Sequence, residues 1–246
     1  MVVPYFQECL LMRAAAQVLN LPLECTSTAL TFAHKFYAAA PQAASREDLV
    51  PAACLFCAAK VEEAPLRTTD LLNALAYLKG ASGRHPTVRA AMPWLPALPA
   101  EPCPWLVGRR YYDAKLCLLH AEQLILRHMH FQVVGSHPHK FLLSFCAAMG
   151  ASDRVAALGV ALLNDCMVYT DLVARLTPEQ VAGGALHLAL EWAEESSGGR
   201  SLRWLREIGL DDASVEAVGH CLLDMVVEVR SREGQLEATN RGVEVD

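Results

Sequence analysis

This chain lacks any stretch apolar for long enough to cross a membrane. Its longest charge-free apolar run, around Leu49 to Ala59, falls far short of the roughly 20 residues that a spanning helix needs. A secretory signal is missing too: Gln7, Glu8 and Arg13 interrupt any apolar core near the N-terminus, and no basic segment precedes it. No Asn-x-Ser/Thr acceptor occurs. Positive charge is scarce, with 21 Lys and Arg against 27 Asp and Glu, a formal net charge of −6. Nucleic-acid binders are usually basic, so that class starts at a disadvantage. No stretch alternates as a strand would. No nucleophile elbow, phosphate loop or Ser/His/Asp or Cys/His arrangement can be assembled, so the chain is not expected to be an enzyme. The nine cysteines are an odd number, and most sit inside apolar helical runs (Cys54, Cys57, Cys117, Cys146, Cys166, Cys221). That pattern fits reduced core cysteine of the cytosol or nucleus, not a disulfide framework.

Two metal-like patterns have a plainer reading. Cys54-x-x-Cys57 has zinc spacing but lies in an apolar helical run with no second pair to complete four ligands. His128, His130, His137 and His139 straddle the end of one helix and the start of the next. No metal and no cofactor is expected.

What the sequence does hold is helix. Apolar residues make up 53%, enough for a sizeable core. The most distinctive stretch is Asp48 to Arg67, DLVPAACLFCAAKVEEAPLR. Asp48 is a candidate N-cap, Pro51 falls in the first turn, and Ala52 to Ala59 is apolar on every side, as a buried helix is. The helix then ends in Lys60, Val61, Glu62 and Glu63, with Glu62 and Glu63 expected to face solvent. Other helices are expected over Tyr5–Leu19, from Pro22 to about Ala40, over Asp70–Leu78 after a Thr68 or Thr69 cap, and over Tyr111–Phe131. A Pro-rich loop at 80–108 precedes the last of these, with Trp94 and Trp105 to pin it down. Ser136 is a candidate cap for a helix through Met149, and Ser152 for one to about Arg175. Thr177-Pro-Glu-Gln180 is a capping box opening a helix to about Glu195. A short helix at Leu202–Ile208 and a last one from Asp211 or Asp212 to Arg230 follow, then a polar flexible tail at 231–246.

The chain also repeats itself. Val50-Pro-Ala-Ala-Cys-Leu matches Val181-Ala-Gly-Gly-Ala-Leu at an offset of 131 (181 − 50). Ala52-Ala53 then lands on Gly183-Gly184, Leu11 on Leu142, and Cys25–Ala39 on Ala156–Thr170. The expected fold is all-α: two tandem five-helix bundles, each around a small-residue central helix. Gly-Gly inside a helix costs on the order of 1 kcal/mol per residue in propensity, and close helix contact is the natural compensation. Glu191 stands where Lys60 stands, so only the first bundle carries the lysine tip.

Two tandem bundles of this kind resemble the cyclin fold. His34-Lys-Phe-Tyr37, Cys57-Ala-Ala-Lys-Val-Glu-Glu63 followed by Leu66-Arg-Thr-Thr-Asp70, and His137-Pro-His-Lys-Phe141 are similar to transcription-type cyclins. With Glu122 to Val133 (EQLILRHMHFQV) the chain most resembles the cyclin Q family. Cyclin L shares several of these motifs but carries an Arg/Ser-rich tail not found here. The resemblance implies an N-terminal cyclin box at 1–134 and a C-terminal one at 135–230. It implies a heterodimer with a cyclin-dependent Ser/Thr kinase, cyclin-dependent kinase ten in the cyclin Q case, with no membrane and no direct nucleic-acid contact. It further implies that Lys60 and Glu122 lie side by side and bind kinase main-chain groups, rimmed by Cys57, Val61, Leu126 and Phe131. Met12-Arg-Ala14 looks like a substrate-docking motif of cell-cycle cyclins, but it lies about two helical turns too close to His34 and is set aside. The competing class is a cyclin-fold transcription adaptor that binds nucleic acid or another protein.

Overall fold

The computed structural model describes residues 2–40, 49–81, 105–133, 135–194 and 200–243, with backbone alone at 80, 81, 200 and 233–243. Asp48, Trp94 with most of the Pro-rich segment, and residues 196–199 of the Ser196–Arg200 stretch expected to be loop lie outside the described residues, while Arg200 opens a helix instead. Among the described residues there are eleven helices and no strand: the fold is all-α. The chain divides into two units, one of residues 4–134 with 232–246, the other of 135–231 with 1–3.

In the first unit α1 is Phe6–Val18, α2 Leu23–Ala39, α3 Val50–Val61, α4 Thr68–Ala81 and α5 Gly108–His128. Helix α3 is the axle. Its residues Val50 to Ala59 are all buried, and it packs against α1, α2, α4 and α5. Only a helix with small residues on several sides can take four neighbours at once. Ala52, Ala53, Cys54, Ala58 and Ala59 supply that here. Leu49 occupies the cap position without a side-chain cap bond, and Pro51 sits in the first turn as expected. Helix α5 turns Leu118, Ala121 and Ile125 inward, with Met129 just past its end. It starts at Gly108, earlier than Tyr111, and stops at His128, short of Phe131. Helix α4 extends beyond Asp70–Leu78 at both ends.

The second unit contains α6 (Pro138–Met149), α7 (Asp153–Tyr169), α8 (Leu172–Arg175), α9 (Pro178–Trp192), α10 (Arg200–Glu207) and α11 (Asp212–Val243), which runs on past the unit's end. Ser136 does not cap α6. His137 holds that position, and the Ser136 hydroxyl accepts from Lys140 Nζ at 2.9 Å. Ser152 does cap α7, its Oγ accepting from the Val155 amide at 3.3 Å. That helix ends at Tyr169, short of Arg175, where Thr170 turns extended, its hydroxyl donating to the Cys166 carbonyl at 2.8 Å. The one-turn α8 follows. The Thr177/Gln180 capping box is present in both directions, at 3.4 and 3.0 Å. Asp211 caps α11 through the Ser214 amide at 2.7 Å. Helix α11 runs on to Val243, beyond the Arg230 limit read from the sequence. The polar residues Arg232, Glu233, Gln235 and Glu237 are good helix formers, so a lack of apolar periodicity there did not mean a lack of helix. Arg232 also stacks over the Phe6 ring at 5.1 Å.

Helix α9 repeats the axle, packing on α6, α7 and α10. The close approach inferred from Gly183-Gly184 is present. A Cβ at Gly184 would stand 2.5 Å from Val218 Cβ and 3.1 Å from the Val215 carbonyl of α11, and one at Gly183 would stand 2.8 Å from Leu210 Cδ1. The axles end alike as well: Glu63 and Glu194, 131 apart (194 − 63), both take a left-handed backbone, at φ 52° and 59°. Gly184→Ala is therefore expected to lower stability by about 1–3 kcal/mol through overpacking, although alanine is the better helix former. Adding Val218→Ala should recover part of the loss. Thermal melts decide this, and a stabilised Gly184→Ala protein would contradict the close contact.

Candidate functional site

The last turn of α3 carries the chain's abrupt change from apolar to charged. Lys60 leaves the core there with its side chain 52% exposed, and its Nζ donates to Glu122 Oε1 at 2.5 Å. Glu122 comes from the middle of α5, and its side chain is only 12% exposed. The ammonium also lies 4.1 Å from the centroid of the Phe56 ring, one turn earlier on α3. A cation held between a carboxylate and a ring face has both fixed in place, although so exposed a pair contributes only about 1 kcal/mol to stability.

Cys57 lies directly inside the pair. It is 2% exposed, and burial pushes its thiol up to about 12. The Glu122 carboxylate adds to that shift and the Lys60 ammonium opposes it, which puts the sulfur within the field of both. Val61 follows Lys60 and is half-buried, as is Leu126, one turn beyond Glu122. Phe131 is tied to Leu126, its amide donating to the Leu126 carbonyl at 2.9 Å, and its ring is 68% exposed. The structure thus brings Lys60, Glu122 and Cys57 into one cluster, with Val61 and Leu126 adjoining it along their helices and Phe131 standing out past the end of α5. Both helix ends close through left-handed residues. Glu63 lets the Ala64 amide reach the Ala59 carbonyl at 2.8 Å, and His130 and Phe131 have φ of 50° and 59°. Bulky residues rarely adopt this backbone.

Several contacts were not legible in the sequence. Glu62 is half-buried and accepts the Thr28 hydroxyl of α2 at 2.5 Å, so it is not the solvent-facing charge expected. A threonine at a buried position of α2 was the available signal. Trp105 does not pin the Pro-rich segment, being 76% exposed. The buried Asn73 side chain does that work at the segment's C-terminal end, accepting from the Leu106 amide at 2.7 Å and donating to the Thr69 carbonyl at 2.9 Å. The start of α4 is joined to α5 by Thr68 and Tyr111, whose hydroxyls lie 2.8 Å apart.

The histidine motifs are structural. His34 is fully buried with its Nδ1 3.1 Å from the Tyr5 hydroxyl, and Phe36 meets the His128 ring edge-on at 5.2 Å. His128 bonds the Leu124 carbonyl, and His139 bonds Asn164. Among the described residues no group of three or more His, Cys, Asp or Glu is placed to hold a metal ion. Met12 is fully buried in α1, where it cannot meet a docking peptide. Cys117, placed among the core cysteines from its sequence context, is in fact exposed on α5. In the second unit Glu191 takes the place of Lys60 and lies 3.5 Å from His187 Nε2, one turn back on its own helix.

The family model for the cyclin N-terminal domain matches residues 9–134, just over half of the chain. The chain belongs to the cyclin family. The matched span holds all six candidate residues. Human cyclin-L1 is 26% identical over 183 residues, covering 74% of this chain and 32% of the relative. Human cyclin-L2 is 23% identical over 242 residues, covering 96% and 43%, and Xenopus laevis cyclin-L1 is 24% identical over 212 residues, covering 85% and 39%. This cyclin therefore spans between about a third and under half of the length of these relatives. Among its described residues no helix is long and apolar enough to cross a membrane.

The thiols give a direct check on the site. With a pKa near 12, Cys57 holds only about one part in ten thousand as thiolate at pH 8 and is shielded besides. Brief iodoacetamide treatment of this cyclin should alkylate Cys117 and leave Cys57 untouched until denaturant is added. Peptide mapping by mass spectrometry reads both, and equal labelling in the folded protein would contradict the burial of Cys57.

Proposed function

We propose that this cyclin is the non-catalytic regulatory subunit of a cyclin-dependent Ser/Thr protein kinase, which it binds through Lys60 and Glu122. Its motifs resemble those of cyclin Q, and on that reading its partner is cyclin-dependent kinase ten, working in the nucleus, the cytoplasm or both. The cyclin holds the kinase's C-helix inward, so that the kinase's own Lys–Glu ion pair forms and phosphoryl transfer can proceed. Residues 1–134 and 135–230 serve as its two cyclin boxes.

The observation that carries this reading is the Lys60–Glu122 pair itself. It joins two helices at the protein surface and sets one cation donor beside one anion acceptor. One of the three lysine N–H groups donates to Glu122, which leaves the ammonium able to donate to kinase carbonyls, while the Glu122 carboxylate can still accept from kinase amides. Val61, Leu126 and the exposed Phe131 ring supply the apolar border that excludes water as the partner closes, and Cys57 fills the space behind. In that dry setting each charge gains strength from the other, and removing one strands its partner.

Truncation of such a pair typically costs about 2–5 kcal/mol of binding, a loss of about 30-fold or more. Tagged wild type expressed in its own cells should co-purify one cyclin-dependent kinase. Lys60→Ala with Glu122→Ala should release it while circular dichroism and thermal melting show an intact helical fold. Reconstitution with purified cyclin-dependent kinase ten tests the finer assignment. Retention of the kinase at the wild-type level by a folded double variant would overturn the site.

A further inference from the structure

Glu122 shares the hold on Lys60 with an aromatic ring. The ammonium stands 4.1 Å from the centroid of Phe56, nearer than Lys140 to Phe141 at 4.8 Å or Arg232 to Phe6 at 5.1 Å. Side chains on a helix lean toward its N-terminus, so residue 60 lies over residue 56, one turn back. The Phe56 ring is 9% exposed and set in the core, which makes it a fixed plate. The face of an aromatic ring carries partial negative charge. Two negative surfaces therefore draw the ammonium, the Glu122 carboxylate at 2.5 Å and the ring face.

The second unit repeats the arrangement in other chemistry. At the repeat offset of 131, Phe56 falls on His187 and Lys60 on Glu191 (187 − 56 and 191 − 60). There too the residue at the tip is tied to the side chain one turn back, His187 Nε2 lying 3.5 Å from Glu191 Oε1. His187 is steadied in turn from α10, its Nδ1 3.0 Å from the Ser201 hydroxyl. Each axle helix thus restrains its tip residue from the position four before it, by an attraction suited to that residue's charge.

We propose that Phe56 is a positioning residue of the docking site, its ring aiming the Lys60 ammonium at the partner and gripping it harder as the partner closes. This rests on the Lys60–Glu122 reading above. A lysine stem has four rotatable bonds, and freezing them on docking costs affinity. A ring beneath the ammonium removes part of that freedom in advance. The attraction is weak while the Lys60 side chain is 52% exposed, and it strengthens once water is excluded. Phe56 therefore adds more to the complex than to the free fold. A leucine in its place would fill most of the same space but offer no negative face.

The test replaces Phe56 in the full chain by mono-, di- and trifluorophenylalanine, which keeps the ring's shape and strips its negative face in steps. Surface plasmon resonance reads binding to the kinase that wild type co-purifies. Affinity should fall with each fluorine, by about fivefold to thirtyfold across the series, while the melting temperature stays within about 2 °C. In a Lys60→Met background the series should have no effect, because a thioether brings no charge to the ring. Phe56→Leu should weaken binding by a similar factor. NMR of the lysine ammonium groups in the free cyclin needs no kinase: the ring current should shift the Lys60 signal upfield, and Phe56→Leu should abolish that shift. A folded Lys60→Ala, Glu122→Ala variant that keeps the kinase would overturn the docking site and this inference together. Release by that variant, with flat affinity across the fluorinated series or the same fall in the Lys60→Met background, would overturn the role of Phe56 alone. So would a Lys60 signal that Phe56→Leu leaves in place.

Discussion

Ten successive residues of α3, Val50 to Ala59, are shut away from water, and four other helices close on them. Packing on all sides demands small side chains, and their smallness draws the neighbours in until backbone nearly meets side chain. The second unit shows the limit of this constraint, where Gly183 and Gly184 leave no room for a methyl group against Leu210 and Val218. A helix so enclosed can expose only its ends. Lys60 occurs where α3 emerges, and the fold holds that end still because everything before it is fixed. The proposed docking site is thereby confined to a short reach of chain, and a carboxylate to meet Lys60 must come from a neighbour already packed against α3. Helix α5 is such a neighbour, and Glu122 is that residue.

The pair is asymmetric in burial, and this shapes what it can do. Glu122 is largely enclosed while half of Lys60 faces water. A mostly enclosed carboxylate needs a donor, and Lys60 supplies one, while the Phe56 ring below restrains the lysine stem. In the proposed docking role the pair is already assembled before a partner arrives, which would lower the ordering cost of binding. The left-handed closures at Glu63 and at His130–Phe131 hold the adjoining chain in sparsely populated backbone, of the kind that accumulates at binding sites.

Most of the helices were legible, because the apolar spacing of α1, α2, α5 and α7 and the small-residue run of α3 are strong periodic signals. The Lys60–Glu122 contact was reached through the motifs and the resemblance they carry; a separation of 62 positions along the chain puts it beyond any local pattern. What escaped was decided by single hydrogen bonds. Thr170 bonds back to α7 where that helix stops, Asn73 fastens the approach to α5, and Thr28 draws Glu62 inward. The extension of α11 escaped for another reason: propensity without amphipathicity leaves no apolar trace to read. The exposure of Cys117 was missed because a cysteine among leucines looks like core from either face of a helix.

The central claim is that a partner kinase seats on the point where α3 meets α5 and nowhere equivalent in the second unit. Hydrogen exchange by mass spectrometry, with and without the kinase, tests it most directly. Residues 58–64 and 122–131 should gain protection in the complex, while the matching end of α9 around Glu191 exchanges as before. Unchanged exchange at both of those stretches, with protection around Glu191 instead, would contradict the account.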